Sequence, residues 1–453
     1  MSGKPTLSLK EKLAYGLGDS AANFVFQSQI TFLMYFYTNV LGISASAAGT
    51  ILLISRVSDA FYDPVVGAIA DRTKTRWGRY RPWVLWTAVP MAVALVLCYT
   101  APPFDATGKI IWAAVTYNVL MIIYAANNIP YSALSGVMTG DSNERTSLQS
   151  WRFVCAMAAA LVVNMFMLDL VHLFGQGDEA LGYQSAMALL GVLAVLFFTL
   201  TFAFTQERVA PSPKQRPDLR RDFSDLFHNG PWIALFALAV LIYIQLAIRG
   251  GTMLYYFTHY LQRADLFGWF NGLGLGVTMI GIVLSKPLAA RFGKRKTFRV
   301  CLALSALLMA LFAFVPPDSL GTLFGLQMLL HLAFGPTIPL LWAMMADVAD
   351  YSEWKTGRRS TALAFASIVF GLKLGFGIGG WLNGKLLDHF GYSAAAAQSA
   401  SALQGIVLMI SVLPAAVLLM GAGVLFWYRI DRRLEQEIQL TLSERREQFP
   451  AAQ

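Results

Sequence analysis

The segment Ile54-Ser55-Arg56-Val57-Ser58-Asp59-Ala60-Phe61-Tyr62-Asp63-Pro64 carries one arginine and two aspartates at spacings of three and four, inside an apolar run from about Ser46 to Ala70. On a helix those spacings stack all three charges on one face. A charge at the centre of a membrane helix costs roughly 3 kcal/mol on insertion scales. Three on one face are therefore expected to bind a cation and to make it control the passage of a second solute. The plainer alternative is a structural ion pair between Arg56 and Asp59.

Other charges lie in apolar surroundings: Asp19, Arg152, Arg249, Lys286 and Lys373. At 1.5 Å of rise per residue, Asp19 and Arg152 lie roughly 8 Å into their spans from the cytoplasmic start, and Lys373 roughly 20 Å. Asp59 and Asp63 lie roughly 17 and 10 Å from the cytoplasmic end of theirs. Lipid cannot host such groups, so the faces that bear them are expected to turn toward one another or toward a wet cavity. Asp19, Arg152 and Lys373 have no opposite charge at i±3 or i±4, so each needs a partner from another helix or from a ligand. Arg249 fits cavity lining and pairing equally, and Lys286, near a helix end, is expected to snorkel. Tyr124-Ala-Ala-Asn127-Asn128-Ile-Pro130-Tyr131-Ser132 adds two amides and a helix-distorting proline. The amides suit sugar hydroxyls, or else hydrogen bonds between helices. Trp342, Trp151 and Trp381 have rings that could stack on sugars.

The elements that must position these residues follow from composition. Of 453 residues, 56% are hydrophobic and 13% charged, about half the charge of a soluble protein. Apolar runs of bilayer length recur throughout and predict twelve spans: 14–38, 46–70, 82–101, 109–134, 147–174, 183–205, 231–260, 265–290, 297–316, 319–346, 359–387 and 402–428. Lys and Arg concentrate in alternate loops, which places both termini in the cytoplasm. The polar stretch 206–230, with Pro211, Pro213 and Pro217, divides 1–205 from 231–430 as two six-helix bundles, and 431–453 reads as a cytoplasmic tail with a surface helix. The basic loop after span two (Gly67-x-x-x-Asp71-Arg72, then Arg76 and Arg79) is echoed after span eight (Arg291-Phe-Gly-Lys-Arg-Lys296), as two parallel repeats would require. The glycines of spans eight and eleven predict close helix packing.

Several classes are set aside. The net charge of +9 sits in loops on one side, so it is a topology signal and not a nucleic-acid footprint. Cys98, Cys155 and Cys301 lack spacing partners and read as small hydrophobes. The polar start and a first apolar run of full span length predict no cleaved signal. Five scattered histidines, and no nucleophile motif or nucleotide loop, argue against an enzyme and against a cofactor.

These residues resemble the glycoside–pentoside–hexuronide:cation symporters, the melibiose-permease-like branch of the major facilitator superfamily. The resemblance rests on Tyr15-Gly-Leu-Gly-Asp19, on Arg56-x-x-Asp59-x-x-x-Asp63-Pro64, on Asp71-Arg-Thr-Lys-Thr-Arg-Trp-Gly-Arg-Tyr-Arg-Pro-Trp83 and on Asn128-Ile-Pro-Tyr. It continues in Gly140-Asp-Ser-Asn-Glu-Arg145 through Arg152 and in Ala346-Asp347-Val-Ala-Asp350-Tyr-Ser-Glu-Trp-Lys-Thr-Gly357, and spans residues 8 to 430. The wording around Asn128, Gly136-Val-Met-Thr-Gly140 and Arg152 is nearest to xyloside and pentoside transporters. The resemblance implies an all-α, twelve-helix major facilitator fold and cation-coupled sugar symport in a bacterial inner membrane; the chain is expected to work as a monomer. It implies a cation site at Asp59 and Asp63 and sugar contacts from Asp19, Tyr124, Arg152 and Lys373. Asn128 and Trp342 join the sugar set, and Asp71, Arg72, Arg145, Asp347 and Arg359 are expected to pair as a cytoplasmic gate. Three positions depart from the family. Asn128 replaces a sugar-holding aspartate, which argues against a melibiose-like galactoside. Tyr62 and Ala125 replace an asparagine and a threonine near the sodium site, which favours H⁺ over Na⁺ as the coupling ion. A sugar uniporter or exchanger, and a lysolipid-type carrier of the same fold, are the alternatives.

Overall fold

A computed structural model describes residues 7–139, 142–208, 229–356, 361–394 and 398–448. The chain crosses the membrane twelve times and adds a tail helix. Span one is Leu9–Thr31 continued by Leu33–Tyr35 and Phe36–Val40. Spans two to six are Ala45–Arg72, Arg81–Cys98, Ala106–Met138, Ser142–Gly175 and Glu179–Phe204. Span seven is Gly230–Tyr255 with Tyr256–Tyr260, and spans eight and nine are Phe267–Phe292 and Lys294–Leu311. Span ten is Leu320–Phe334 with Thr337–Thr356, span eleven Thr361–His389, span twelve Ala400–Ile410 with Val412–Val424, and the tail helix Arg432–Gln448. Helices satisfy their own backbone groups, as a medium without water demands. Among the described residues, nine helices are long and apolar enough to cross a bilayer. Spans one, two and eleven are outside that set, and they are the ones that carry Asp19, the Arg56/Asp59/Asp63 face and Lys373.

Short polar residues start the helices. Ser8 and Glu11 form a reciprocal capping box on span one, and Ser44, Asp105 and Asp178 cap spans two, four and six. Two spans are broken where the sequence predicts continuity. Span ten turns at Gly335-Pro336. Span twelve breaks at Ser411, three residues before Pro414. Pro414 has no N–H to give the carbonyl of Ile410, so that carbonyl is left for another donor.

The residues group into two compact units. One comprises Met1–Pro213, Met253–Gly272 and Gly380–Leu403; the other comprises Lys214–Thr252, Leu273–Gly379 and Gln404–Gln453. In the first, span one lies against spans five and six, span three against four and six, and span two against four. The backbone of span eleven closes on span two there: a Cβ at Gly384 would collide with the Ala45 carbonyl. In the second, span nine lies against spans ten and twelve, and the tail helix lies on span ten. A Cβ at Gly375 would collide with the Val240 carbonyl of span seven. At these positions the glycines serve close packing, as expected.

A repeat stronger than the basic-loop echo appears within the first unit. Tyr35-Phe-Tyr-Thr38-Asn39-Val-Leu41 on span one recurs as Tyr255-Tyr-Phe-Thr258-His259-Tyr-Leu261 on span seven. Both segments widen into π-helix. Leu41 N–H donates to the Phe36 carbonyl at 2.8 Å, and Leu261 N–H to the Tyr256 carbonyl at 2.9 Å. Ile43 N–H reaches the Tyr37 carbonyl at 3.0 Å, and Arg263 N–H the Phe257 carbonyl at 2.9 Å. Each segment ends on a positive φ, +78° at Gly42 and +55° at Gln262. The same residue types close the two helices in the same way, as duplicated halves would.

Candidate functional site

Asp19 and Arg152 find each other. Span one presents Asp19 and span five presents Arg152. The guanidinium donates through Nη2 to Asp19 Oδ1 at 3.3 Å, and its Nε lies 3.1 Å from Oδ2 as an ion pair. The guanidinium also lies 5.3 Å over the ring of Tyr131. Tyr131 stacks on Tyr15 at 4.6 Å and donates its hydroxyl to the Tyr15 carbonyl at 2.5 Å, so the aromatic floor is itself fastened.

Span two supplies a second pair. Arg56 Nη1 reaches Asp59 Oδ2 at 3.4 Å, with both side chains buried. One helical turn on, the Tyr62 hydroxyl donates to Asp59 Oδ1. Each oxygen of Asp59 therefore faces a donor. Asp63 is half-buried one turn closer to the cytoplasm. Tyr124 of span four, stacked on Phe26 at 6.5 Å, has its hydroxyl in the field of Asp19, Arg56, Arg152 and Asp59 together. Tyr117 lies two helical turns away and faces Arg56. The expected alternatives for this face are a cation site and a structural ion pair between Arg56 and Asp59; the Arg56 guanidinium does pair with Asp59.

The two amides of span four part company. Asn127 is fully buried and donates to Thr87 Oγ1 of span three at 2.8 Å, a bond between helices. Asn128 is half-buried and makes no hydrogen bond among the described residues. On span one a polar stripe extends Asp19 at every fourth residue. Asn23 donates to the Asp19 carbonyl at 2.9 Å, Gln27 accepts from Asn164 of span five at 3.4 Å, and Thr31 donates to Asn164 Oδ1 at 3.2 Å. The spacing Asp19, Asn23, Gln27, Thr31 is visible in the sequence, but a search for charged residues alone passes over it.

In the second unit Lys373 is half-buried on span eleven, and Trp342 is 41% exposed on span ten. Arg249 is held by partners on other helices. It donates through Nε to the Ile410 carbonyl at 3.1 Å, the group that Pro414 leaves without a helical partner, and through Nη2 to Gln327 at 2.9 Å. Gln327 in turn meets His331 at 3.0 Å, and His331 meets Thr278 at 2.7 Å.

At the cytoplasmic ends, Arg72 is exposed and Asp347 pairs with Lys294 at 2.7 Å. Lys294 also meets Glu435 of the tail helix at 2.9 Å. The side chains of Asp71 and Arg145, and all of Arg359, lie outside the described residues. Glu207 accepts the backbone N–H groups of Arg79, Tyr80 and Arg81 at 2.9, 2.7 and 3.0 Å, and so orders the basic loop after span two. On the polar first turn that precedes the apolar part of span one, Lys12 pairs with Glu144 at 2.9 Å, and Arg208 pairs with Glu11. Partial burial would raise Glu11, but hydrogen bonds from Arg208 and Ser8 outweigh it and hold the carboxyl below its ordinary value.

Twelve membrane helices with ion pairs buried across them, and a duplicated motif in spans one and seven, define a polytopic carrier of the major facilitator fold. Residues 14–432 match the MFS/sugar transport protein family, and the chain belongs to it. It is 38% identical to the inner membrane symporter YicJ of Escherichia coli over 92% of this chain and 90% of that one. It is 34% identical to the isoprimeverose transporter of Lactiplantibacillus pentosus over 93% and 89%. The putative glycoside/cation symporter YagG of Escherichia coli is 38% identical over 90% and 89%. The fold is shared with the nucleoside transporter NupG (TM-score 0.65, 14% identity, 93% and 99% coverage) and with a bacterial homologue of the lysosomal transporter Spinster (TM-score 0.68, 14% identity, 95% and 99% coverage).

Proposed function

We propose that this chain is a bacterial inner-membrane symporter that couples proton entry to uptake of a pentose-containing glycoside, and that it works as a monomer. The observation that carries the reading is Asp59 held between Arg56 and Tyr62. Sodium needs several oxygen lone pairs, and here both carboxylate oxygens already face donors while Ala125 offers none. A proton needs only one carboxylate oxygen. A proton that loads Asp59 or Asp63 removes the anion that Arg56 compensates, and Tyr124 lies in the field of this pair and of Asp19–Arg152. Neutralising span two in this way would favour a sugar at Asp19, where the carboxylate accepts hydroxyl protons and Arg152 and Asn128 donate. The resemblance adds Lys373 to the sugar set, Trp342 joins it as a ring that could stack on a sugar, and Asp71, Arg72, Arg145, Asp347 and Arg359 would pair between helix ends as the gate. The glycoside class rests on the same resemblance and on the printed names of the relatives. The membrane potential supplies about 2.3 kcal/mol per proton per 100 mV, enough to accumulate sugar. The test is uptake into energised vesicles, after a thermal-shift screen of pentosides and hexosides has chosen the sugar. Asp59→Cys should abolish accumulation against a gradient, and a pH gradient should drive it in the wild type. Accumulation by Asp59→Cys, or uptake driven by Na⁺ at clamped pH and voltage, would overturn the assignment.

A further inference from the structure

Where spans eight, nine and twelve of the second unit reach the cytoplasm, a cavity of about 220 Å³ is lined by Phe292, Arg295, Lys296, Arg299, Asp431 and Arg432. Its cations are not spent on carboxylates. Arg295 is locked as a floor: Nε donates to the Leu425 carbonyl at 3.0 Å and Nη2 to the Phe426 carbonyl at 2.9 Å, which caps the last turn of span twelve and leaves three N–H donors unused. Arg299 lies 4.5 Å over the Phe426 ring, and Lys296 lies 5.9 Å from the Phe292 ring. Among the described residues, Lys296, Arg299 and Arg432 make no ion pair. The nearby acids are engaged elsewhere: Asp347 and Glu435 share Lys294, and Asp431 accepts the Leu434 N–H as it caps the tail helix. Four cations thus converge on one cavity against a single carboxylate.

The surroundings point to the occupant. Phe426 and Trp427 are 62% and 71% exposed, and Phe292 is 47% exposed. Large aromatic rings exposed where a span leaves the bilayer sit at headgroup level. A basic pocket between membrane helices on the cytoplasmic side, with aromatic rings at its rim, suits an acidic headgroup whose acyl chains continue into the lipid. Cations present only for topology would be dispersed along loops and fully hydrated. These are gathered around one cavity, with Arg295 and Arg299 half-buried in its wall. We propose that this pocket binds the phosphodiester of an anionic phospholipid of the inner leaflet. The tail helix contributes Arg432, so the lipid would also tie the tail to span nine.

The experiment uses the full-length protein, delipidated in a neutral detergent and titrated with phosphatidylglycerol, phosphatidylcholine or inorganic phosphate. Retained lipid is counted by native mass spectrometry, and the unfolding midpoint is followed alongside. Phosphatidylglycerol should be retained and should raise the midpoint; phosphatidylcholine and phosphate should do neither. Each cation removed should weaken phosphatidylglycerol roughly fivefold, so Lys296→Gln/Arg299→Gln/Arg432→Gln should lose on the order of 100-fold. The charge-matched Lys10→Gln/Lys74→Gln/Arg76→Gln should bind as the wild type does. Arg432 is on the exposed tail helix, and Arg432→Gln alone gives the fivefold step should the triple variant fail to fold. Equal protection by phosphate, equal loss in the charge-matched control, or unchanged retention in Arg432→Gln would each overturn the lipid assignment.

Discussion

Thr38 of span one and Tyr255 of span seven share a hydrogen bond of 2.6 Å between two copies of one motif. The ring of Tyr35 meets that of Tyr255 edge-on at 5.4 Å. The threonine of one copy thus bonds to the tyrosine of the other, and the two tyrosines pack together. Tyr392 closes the cluster: it donates to Asn39 at 2.9 Å, and His259 meets it at 3.0 Å. Since the Tyr392 proton goes to Asn39 Oδ1, His259 Nε2 must be the donor to Tyr392, and that role is open to the neutral and the charged imidazole alike. Protonating His259 therefore does not by itself break the cluster.

Thr38→Val should cost about 1 kcal/mol, since it leaves the buried Tyr255 hydroxyl without Thr38, whereas Tyr255→Phe should cost less, because Thr38 Oγ1 keeps Asn39 Oδ1 at 2.7 Å. The double variant should cost no more than Thr38→Val alone, because the orphaned Tyr255 hydroxyl is gone. Thermal unfolding of the four proteins in one detergent measures the coupling. Strict additivity would show that the two hydroxyls do not depend on each other.

Tyr62→Asn tests the choice of ion. The tyrosine hydroxyl is a donor aimed at Asp59, whereas a shorter amide frees one carboxylate oxygen and offers its own. The variant should gain Na⁺-stimulated uptake, with an increase in apparent Na⁺ affinity of about tenfold if one added oxygen is worth about 1.4 kcal/mol. Uptake measured against Na⁺ at fixed pH and voltage gives the answer. A variant indifferent to Na⁺ would show that Tyr62 does not set the ion.

Arg152→Gln should lower stability by about 2–4 kcal/mol, because Asp19 is left buried without its cation. Asp19→Asn/Arg152→Gln should recover most of that stability but should not recover sugar binding, since the carboxylate that accepts hydroxyls is gone. Unfolding midpoints and calorimetric glycoside titration separate the two effects. Sugar binding by the double variant at wild-type affinity would remove both residues from the site.

Much of this arrangement can be read in the sequence, for a reason particular to membranes. A charge in an apolar run is costly enough to announce itself, so Asp19, Arg56, Asp59, Asp63 and Arg152 stand out, and the lack of local partners for Asp19 and Arg152 points to a partner on another helix. What stays hidden depends on direction. Asn127 and Asn128 are adjacent and alike, and only the facing of span four decides that one bonds to Thr87 while the other does not. The Tyr–Thr motif of spans one and seven is written in the sequence, but aromatic residues are ordinary in membrane helices, and the repeat gains meaning from the π-helical turns. The break in span twelve was hidden too, because the residues on both sides are equally apolar.

That break makes the last test. Pro414 cannot donate to the Ile410 carbonyl, and Arg249 does so instead at 3.1 Å. The cation thereby meets the negative end of the half-helix Ala400–Ile410, which offsets part of the cost of its charge in the membrane. Arg249→Gln should therefore cost about 2–3 kcal/mol, as a carbonyl and Gln327 each lose a charged donor. Pro414→Ala restores the N–H that a continuous helix would use, so the carbonyl no longer depends on the arginine. In the Pro414→Ala background Arg249→Gln should cost at least about 1 kcal/mol less, as expected for coupled neighbours. Unfolding midpoints of the two singles and the double provide the comparison, and the same cost in both backgrounds would disconnect Arg249 from the break.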